Sequence, residues 1–379
     1  MRARTRTEAP ELVVVGRFVD EEVVPHADAW DRDEAVPGDV LRRVADLGLW
    51  APFLPPEAGG AGMDMVTLGR VHEEVGRGCS SLRSLLTVHT MVTATVQRWG
   101  DDEQRERWLP ALAEGATLGA FCLTEPDFSG SDSTAAGTVA VAENGSWTLR
   151  GRKTWITGGQ LAGLLLVFAG TATGMSAFLV PADHPGVRVT PVRNMLGTSA
   201  SMLATIEFDD VRLEPDALVG PPGWAAGTVM TGALDLGRYS VACGSVGIIR
   251  GALAASAAYS SARSAGGGLL RDLPQIRAKI SEMVTARDAA RLLCEKAGRL
   301  KDAGDPATIM ATWVAKYFAS TAAAKAGADA VQIHGANGCG PDYPVARLYR
   351  DAKVMEIIEG STQIQELTIA DEAYREVAK

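Results

Sequence analysis

Glu359 stands in Ile357-Ile358-Glu359-Gly360-Ser361-Thr362-Gln363, one carboxylate between apolar residues and a glycine. A carboxyl in such surroundings loses solvation of its charged form, so its pKa rises and it becomes a better base near neutral pH, able to take a proton from carbon. A glutamate at a helix end is otherwise most often solvated surface, so its context decides. Upstream, Phe121-Cys122-Leu123-Thr124-Glu125-Pro126 and Lys153-Thr154-Trp155-Ile156-Thr157 offer hydroxyls and an indole. Read alone, those hydroxyls stabilise a turn and the indole fills a core. One helical stretch carries Arg77, Arg83 and His89. A guanidinium buried there would need an anionic or hydroxylated group to satisfy it.

Other chemistries are excluded by what is missing. No G-x-G-x-x-G lies between a strand and a helix, and neither a P-loop nor a G-x-S-x-G elbow occurs, which disfavours Rossmann nicotinamide binding, P-loop chemistry and serine hydrolysis. The five cysteines are scattered without a C-x-x-C pair, and the five histidines show no ligand spacing; buried thiols and no metal site are expected. A net charge of -9 and a pI near 5.2 argue against nucleic acid as partner. Leu12-Val13-Val14-Val15 is too short for a signal core, and no apolar run approaches the roughly 20 residues of a membrane span. The expectation is a cytoplasmic protein with no membrane partner.

These residues must be positioned by a chain of 379 residues that is 46% hydrophobic and 22% charged, long enough for two or three domains with full cores. Apolar residues recur at helical spacing from about residue 11 to 118, broken by the Pro55-Pro56 and Gly59-Gly60 loop. Asp101 caps the last of these helices. From about 119 to 215 the period becomes two: residues 138–142 and 146–150 flank the turn dipeptide Asn144-Gly145, and further short strands follow near 164–168, 176–180, 187–189 and 204–208. A β-barrel or sandwich between helical halves is the reading. From 216 the pattern is helical again, near 226–262, 275–303, 306–334, 343–358 and 361–377, with Ser264 to Gly268 as a flexible loop. The fold expected is α+β, with an N-terminal helical domain (1–118), a middle β domain (119–215) and a C-terminal helical bundle (216–379).

The segment from Gln332-Ile333-His334-Gly335 through Tyr343-Pro344 and Arg347 to Glu359 and Gln365, together with Leu123-Thr124-Glu125-Pro126 and Lys153 to Thr157, resembles the FAD-dependent acyl-CoA dehydrogenase family over nearly the whole chain. The resemblance implies a four-helix C-terminal bundle and a homodimer or homotetramer in which neighbouring subunits share each flavin. It implies Glu359 as the base that takes the α-proton of an acyl thioester while the β-hydrogen leaves as hydride to the flavin. Some relatives carry the base just before an arginine on an earlier helix; here that position is Gly237, in Asp235-Leu236-Gly237-Arg238. Contacts to FAD are implied for Phe121, Leu123, Thr124, Ser131, Trp155, Thr157, Arg263, Gln332, Gly335, Ser361 and Gln363. Arg77, Arg83, Asp235 and Arg238 are implied on the substrate side. Two departures stand out: Asp127-Phe128-Ser129 lengthens the segment between Pro126 and Gly130, and Gly266 replaces the family's phenylalanine after Arg263.

The substrate implied is a short, polar acyl thioester on CoA or an acyl carrier protein, with an electron-transfer flavoprotein as an electron acceptor. The alanine- and glycine-rich composition resembles the acyl-carrier-protein dehydrogenases of polyketide extender-unit supply, of the hydroxymalonyl or methoxymalonyl type. Two alternatives on this scaffold are a flavin monooxygenase, whose relatives lack the base, and a catalytically silent carrier-binding partner.

Overall fold

A computed structural model describes residues 11–128 and 137–378. Six helices form the N-terminal domain: α1 (Leu12–Phe18), α2 (Ala27–Asp33), α3 (Gly38–Asp46), α4 (Met65–Gly78), α5 (Ser80–Trp99) and α6 (Asp102–Ala113). The start of α6 is fixed by a reciprocal cap, Asp101 accepting from the Gln104 backbone while the Gln104 side chain accepts from that of Asp101. Residues 77 to 89 are not one helix. Cys79 is extended and caps α5, separating Arg77 on α4 from Arg83 on α5.

The middle domain is an eight-stranded sheet in the order β6-β7-β3-β2-β4-β5-β8, with β1 beside β4. Its strands are β1 (Gly119–Cys122), β2 (Val139–Glu143), β3 (Ser146–Ile156), β4 (Leu164–Thr171), β5 (Gly174–Pro181), β6 (Val187–Pro191), β7 (Ala204–Leu213) and β8 (Leu218–Val219). Strand β4 is buried on both faces. Leu164, Leu166 and Phe168 join a core with Val92, Val96 and Leu112 of the helical domain, whereas Leu165, Val167 and Ala169 face the sheet's own interior with Ile206 and Phe208. Strand β3 runs six residues beyond the alternation read at 146–150, with register shifts against β7 after Leu149 and after Lys153. Those irregularities re-aim the strand end that carries Trp155.

The C-terminal domain holds α7 (Thr231–Ala262), α8 (Pro274–Asp302), α9 (Thr308–His334), α10 (Val345–Met355) and α11 (Thr362–Val377). Its core is alanine-rich: Ala290, Ala297, Ala315, Ala319, Ala323 and Ala330 surround Val246, Ile248 and Ile249 of α7. Together with the turn before it, α7 forms one helix over Ala226–Ala262 that is long and apolar enough by composition to cross a membrane, contrary to the sequence expectation; it lies within the bundle core. The loop at Ser264 to Gly268 is a tight hairpin, β9 (Ser264–Ala265) paired with β10 (Gly268–Leu269) around the positive-φ residues Gly266 and Gly267. Glycine-glycine turns of this kind match the twist of paired strands, so the segment is fixed.

Helices α4 and α7 cross in close contact because small residues meet. A Cβ on Gly76 would lie 2.8 Å from the Cα of Gly244. This crossing brings Arg83 of α5, Gly237 of α7 and the α10–α11 turn to one place.

Candidate active site

Glu359 lies in the turn between α10 and α11, and both Glu359 (φ 56°) and Gly360 (φ 92°) are left-handed. A non-glycine residue there costs of order 1 kcal/mol or more and persists only where surroundings impose it. Here the carbonyls are held from outside. Arg238 Nε donates to the Glu359 oxygen at 3.1 Å, Lys316 Nζ to that of Gly360 at 2.7 Å, and buried Gln365 Nε2 reaches both at 3.3 and 3.1 Å. The carboxyl turns toward α7 at Gly237, where a Cβ would come within 2.5 Å of the carboxyl carbon. Only glycine leaves that space.

Oε2 of Glu359 is buried and has no hydrogen-bond partner. Burial pushes the group up to about 7, although the charges of Arg238, Lys316 and Arg83 pull the other way. Ile357 does not supply that burial, since it is 57% exposed. The covering surface belongs to α7 and to the cations around it.

Two of those cations are fully buried and Arg238 is partly so. Arg238 stacks on Trp313, 4.1 Å from the ring centre, and burial lowers its pKa. Lys316 has no exposed surface, and burial brings it down to about 8. Arg83 is also fully buried; Nη1 donates to Thr87 Oγ1 at 3.0 Å, Nη2 to Ser84 Oγ at 2.9 Å and to Met355 Sδ at 3.1 Å, while Nε has no partner. Burial brings Arg83 down to about 10 against the attraction of Glu359 and Asp351. From Thr87 the polar chain continues to Ser240 Oγ at 2.5 Å and on to His72 Nδ1 at 3.1 Å. Burial and then Arg83 lower His72 to about 3, so it is neutral at working pH. Gly237, Ser240 and Gly244 share one face of α7 at helical spacing, with Glu359 against the first and the stem of Arg83, 2.8 Å from a Cβ on Gly244, against the last.

Two substrate-side residues are engaged elsewhere. Arg77 pairs with Asp20 at 2.7 Å and Glu74 at 3.1 Å, so its guanidinium is already satisfied. Asp235 pairs with Lys301 and keeps Oδ1 buried without a partner. Lys316 and Trp313 were not singled out in the sequence, where a lysine in an alanine-rich helix reads as surface charge. The signal was its spacing with Thr312, Ala319, Ser320 and Ala323, all buried.

At the β end, the Thr154 amide donates to the Thr124 carbonyl at 2.9 Å, joining the segment of Phe121, Leu123 and Thr124 to the strand that carries Trp155 and leads into the turn at Thr157. Phe121, Leu123, Thr124 and Thr157 are partly exposed. Trp155 is 53% exposed and left-handed at φ 59°, so it is not the core residue an isolated tryptophan suggests. Below it, Lys153 Nζ donates to Glu125 Oε1 at 2.6 Å and to the Leu123 carbonyl at 3.0 Å. Ser131 lies outside the described residues. Gln332, Gly335, Arg263 and Gln363 are exposed and Ser361 partly so. Gly335 has φ 60° and ψ −136°, and nothing lies within 4 Å of a Cβ placed on it. An open aromatic face beside hydroxyl-bearing turns fits a flat flavin ring, and an open glycine backbone fits close approach of a diphosphate. The residues present therefore suit FAD.

Descriptions of the N-terminal, middle and C-terminal domains of acyl-CoA dehydrogenase match residues 13–116, 120–211 and 223–374. Short-chain specific acyl-CoA dehydrogenase of Bos taurus is 37% identical over 359 residues, 93% of this chain and 86% of its own. The electron transferring flavoprotein structure from Acidaminococcus fermentans superposes with a TM-score of 0.93 at 30% identity, covering 99% of this chain and 100% of that one. FkbI, for biosynthesis of the methoxymalonyl extender unit of the polyketide Fk520, superposes at 0.88 with 33% identity, covering 96% and 99%. One expectation is corrected. The bovine relative and its rat, human, mouse and pig counterparts are mitochondrial, which overturns the expectation of a cytoplasmic protein. The chain belongs to the acyl-CoA dehydrogenase family, an FAD-binding family, and is an oxidoreductase acting on the CH–CH group of an acyl thioester.

Proposed function

We propose that this family member dehydrogenates a short acyl thioester with Glu359 as the base that takes the α-proton. One observation carries the reading: a buried carboxylate oxygen without a partner, in the space left by Gly237, on a group whose pKa stands at about 7. Such a group is half ionised near neutral pH and loses little solvation on accepting a proton. As the proton arrives on Glu359, negative charge moves to the thioester oxygen, which needs fixed donors of its own; Arg238, Lys316 and Arg83 are the positive charges that act on Glu359. FAD, when bound, supplies the acceptor for the β-hydride.

The flavin ring is assigned to Trp155, Thr157, Thr124, Phe121 and Leu123; Ser131, outside the described residues, is assigned by resemblance to the flavin phosphate and the thioester end of the substrate. Gln332, Gly335 and Arg263 are assigned to a neighbour's FAD, and Ser361 and Gln363 to contacts beyond the base. A homodimer or homotetramer follows, and exposed Leu292, Ile309, Leu367 and Tyr374 on α8, α9 and α11 support it as apolar surface available for assembly. The acyl group is read as short and oxygen-bearing, because buried Arg83 has no carboxylate within ion-pair distance among the described residues and keeps a free Nε. Likeness to FkbI supports extender-unit supply on CoA or a carrier protein. Likeness to the Acidaminococcus structure supports an electron-transfer flavoprotein as acceptor.

The test is anaerobic mixing of flavin-loaded protein with butyryl, glutaryl and glyceryl groups, each on CoA and on a carrier protein. Bleaching of the flavin by at least one thioester is expected. Absence of anaerobic bleaching by any thioester, together with rapid oxygen consumption once an added chemical reductant has reduced the flavin, would replace this reading with the monooxygenase one.

A further inference from the structure

We infer that Lys316 is a positioning residue for Glu359: its ammonium group holds the Gly360 carbonyl and so fixes the left-handed turn that aims the carboxylate into the space at Gly237. The inference rests on Glu359 being the base. Lys316 projects from the middle of α9 on the face formed by Thr312, Ala315, Ala319 and Ser320, all buried. An ammonium group in such a row is costly unless its charge is met. Among the described residues no carboxylate lies within ion-pair distance of it; its hydrogen bond goes to the Gly360 carbonyl at 2.7 Å. A charge-assisted bond of that length is directional and among the stronger ones available to a neutral acceptor.

The contact sits where the backbone needs it. Glu359 at φ 56° is strained, and the two carbonyls of this turn are gripped from three elements: Arg238 on α7, Lys316 on α9 and Gln365 on α11. Loss of Lys316 leaves the Gly360 carbonyl with Gln365 alone. Electrostatics adds a second consequence. Glu359 is faced by Arg238 from α7, Lys316 from α9 and Arg83 from α5. Glu356, at the end of α10, acts on Lys316, as does Arg238. Removal of one of three cations makes the ionised base harder to form, so the catalytic titration moves to higher pH.

The experiment follows flavin reduction of the holoenzyme by butyryl-CoA against pH, anaerobically, in wild type, Lys316→Met, Lys316→Gln and Lys316→Arg. Met and Gln are expected to move the rising limb upward by about one pH unit, which is about fivefold in rate near pH 7 and about tenfold at pH 6 and below. The effect should fall on the limiting rate with little change in KM, and Arg should restore most of the limb's position. A merely structural lysine would lower yield or flavin content without moving the limb. Profiles for Met and Gln that superimpose on wild type, or an Arg variant displaced as far as Met, overturn the inference. Where Lys316→Met does not accumulate, Lys316→Gln, which keeps a donor but no charge, carries the same comparison. A Glu359→Gln control that still reduces flavin at the wild-type rate would instead overturn the base assignment, and the role of Lys316 with it.

Discussion

Two glutamates with desolvated carboxyls, each with a buried lysine nearby, meet opposite fates in this molecule. Burial alone would raise Glu125, but the hydrogen bond and charge of Lys153, and the amides of Thr138 and Gly137 at 3.0 and 2.6 Å, outweigh it and hold the carboxyl below its ordinary value. Glu359 has the same kind of neighbour, yet Lys316 is bonded to a carbonyl, Oε2 receives no donor, and burial wins. A nearby cation lowers a carboxylate's pKa, but without a donor in contact with its oxygen that pull does not outweigh burial here. The first arrangement closes a structural joint between β3 and the turn at Thr124. The second leaves a base available.

The sharpest way to test that contrast is to neutralise each site. Glu359→Gln keeps the shape and removes the basic oxygen, so flavin reduction by substrate should fall on the order of 100- to 10,000-fold while FAD stays bound. Stopped-flow absorbance of the anaerobic holoenzyme measures it, and reduction at the wild-type rate would move the base elsewhere. At the other site, Lys153→Met strands Glu125 as an unpaired buried charge, at an expected cost of roughly 3 to 5 kcal/mol of folding stability. Urea unfolding of the two proteins reads that difference. A loss near zero would mean that the β3 joint is held by its backbone bonds alone.

Stability against pH separates the sites by sign. The folded pKa of Glu359 lies above its unfolded value, so ionisation disfavours the folded state: no cost below about pH 4.5, a growing cost as pH rises, the full cost above about 7. Glu359→Gln should therefore be more stable than wild type at pH 8, by about 3 kcal/mol for a shift of this size, and the gap should close as pH falls toward 4.5. Glu125 runs the other way. Its folded pKa is depressed, so its contribution is present above the unfolded value and is lost as pH falls through the folded one. Thermal melts of wild type and Glu359→Gln at pH 5 and pH 8 check the first statement; an equal difference at both would contradict it.

The order of helix, sheet and helix was legible because its signals are local: helical spacing through Val40 to Leu47, the Asn144-Gly145 turn, the Asp101 cap. Desolvation of Glu359 was anticipated from Ile357 and Ile358, but the burial comes from Gly237, which is 122 positions earlier in the chain and unreadable as a neighbour. Arg77 misled for the same reason, since Asp20, which satisfies it, lies 57 residues away. Extension of β3 past Arg150 was hidden by Gly151 and the register shifts, which break alternation. Gly266-Gly267 carried a readable hairpin signal that a flexible-loop reading passed over. Lys316 was the costliest omission, as a lone charge in an alanine-rich helix looks solvated until its buried face is traced.

Arg83 gives the smallest effect and the finest distinction, because it asks whether the Glu359 site is completed by its substrate as the Glu125 site is completed by its lysine. Its Nε lacks a partner, its stem lies against Gly244, and Glu359 lies seven residues away on the same face of α7 at Gly237. A charge-assisted hydrogen bond from a buried guanidinium to a substrate oxygen contributes roughly 1.5 to 3 kcal/mol, whereas an alkyl chain set against it leaves that donor unpaired at a comparable cost. Wild type should therefore favour an oxygen-bearing acyl group over a plain one of similar length by more than about tenfold in kcat/KM. Lys is not an equivalent donor here, since its point charge on a flexible stem would not reproduce the fixed fork held by Thr87 and Ser84. In Arg83→Met the preference should collapse, with the loss concentrated in the affinity for the oxygen-bearing group. Flavin reduction with glutaryl and butyryl thioesters, titrated to saturation in both proteins, separates the two quantities. A wild type that prefers butyryl, with a ranking that Arg83→Met leaves in place, would assign Arg83 to packing and leave the acyl end of the site apolar.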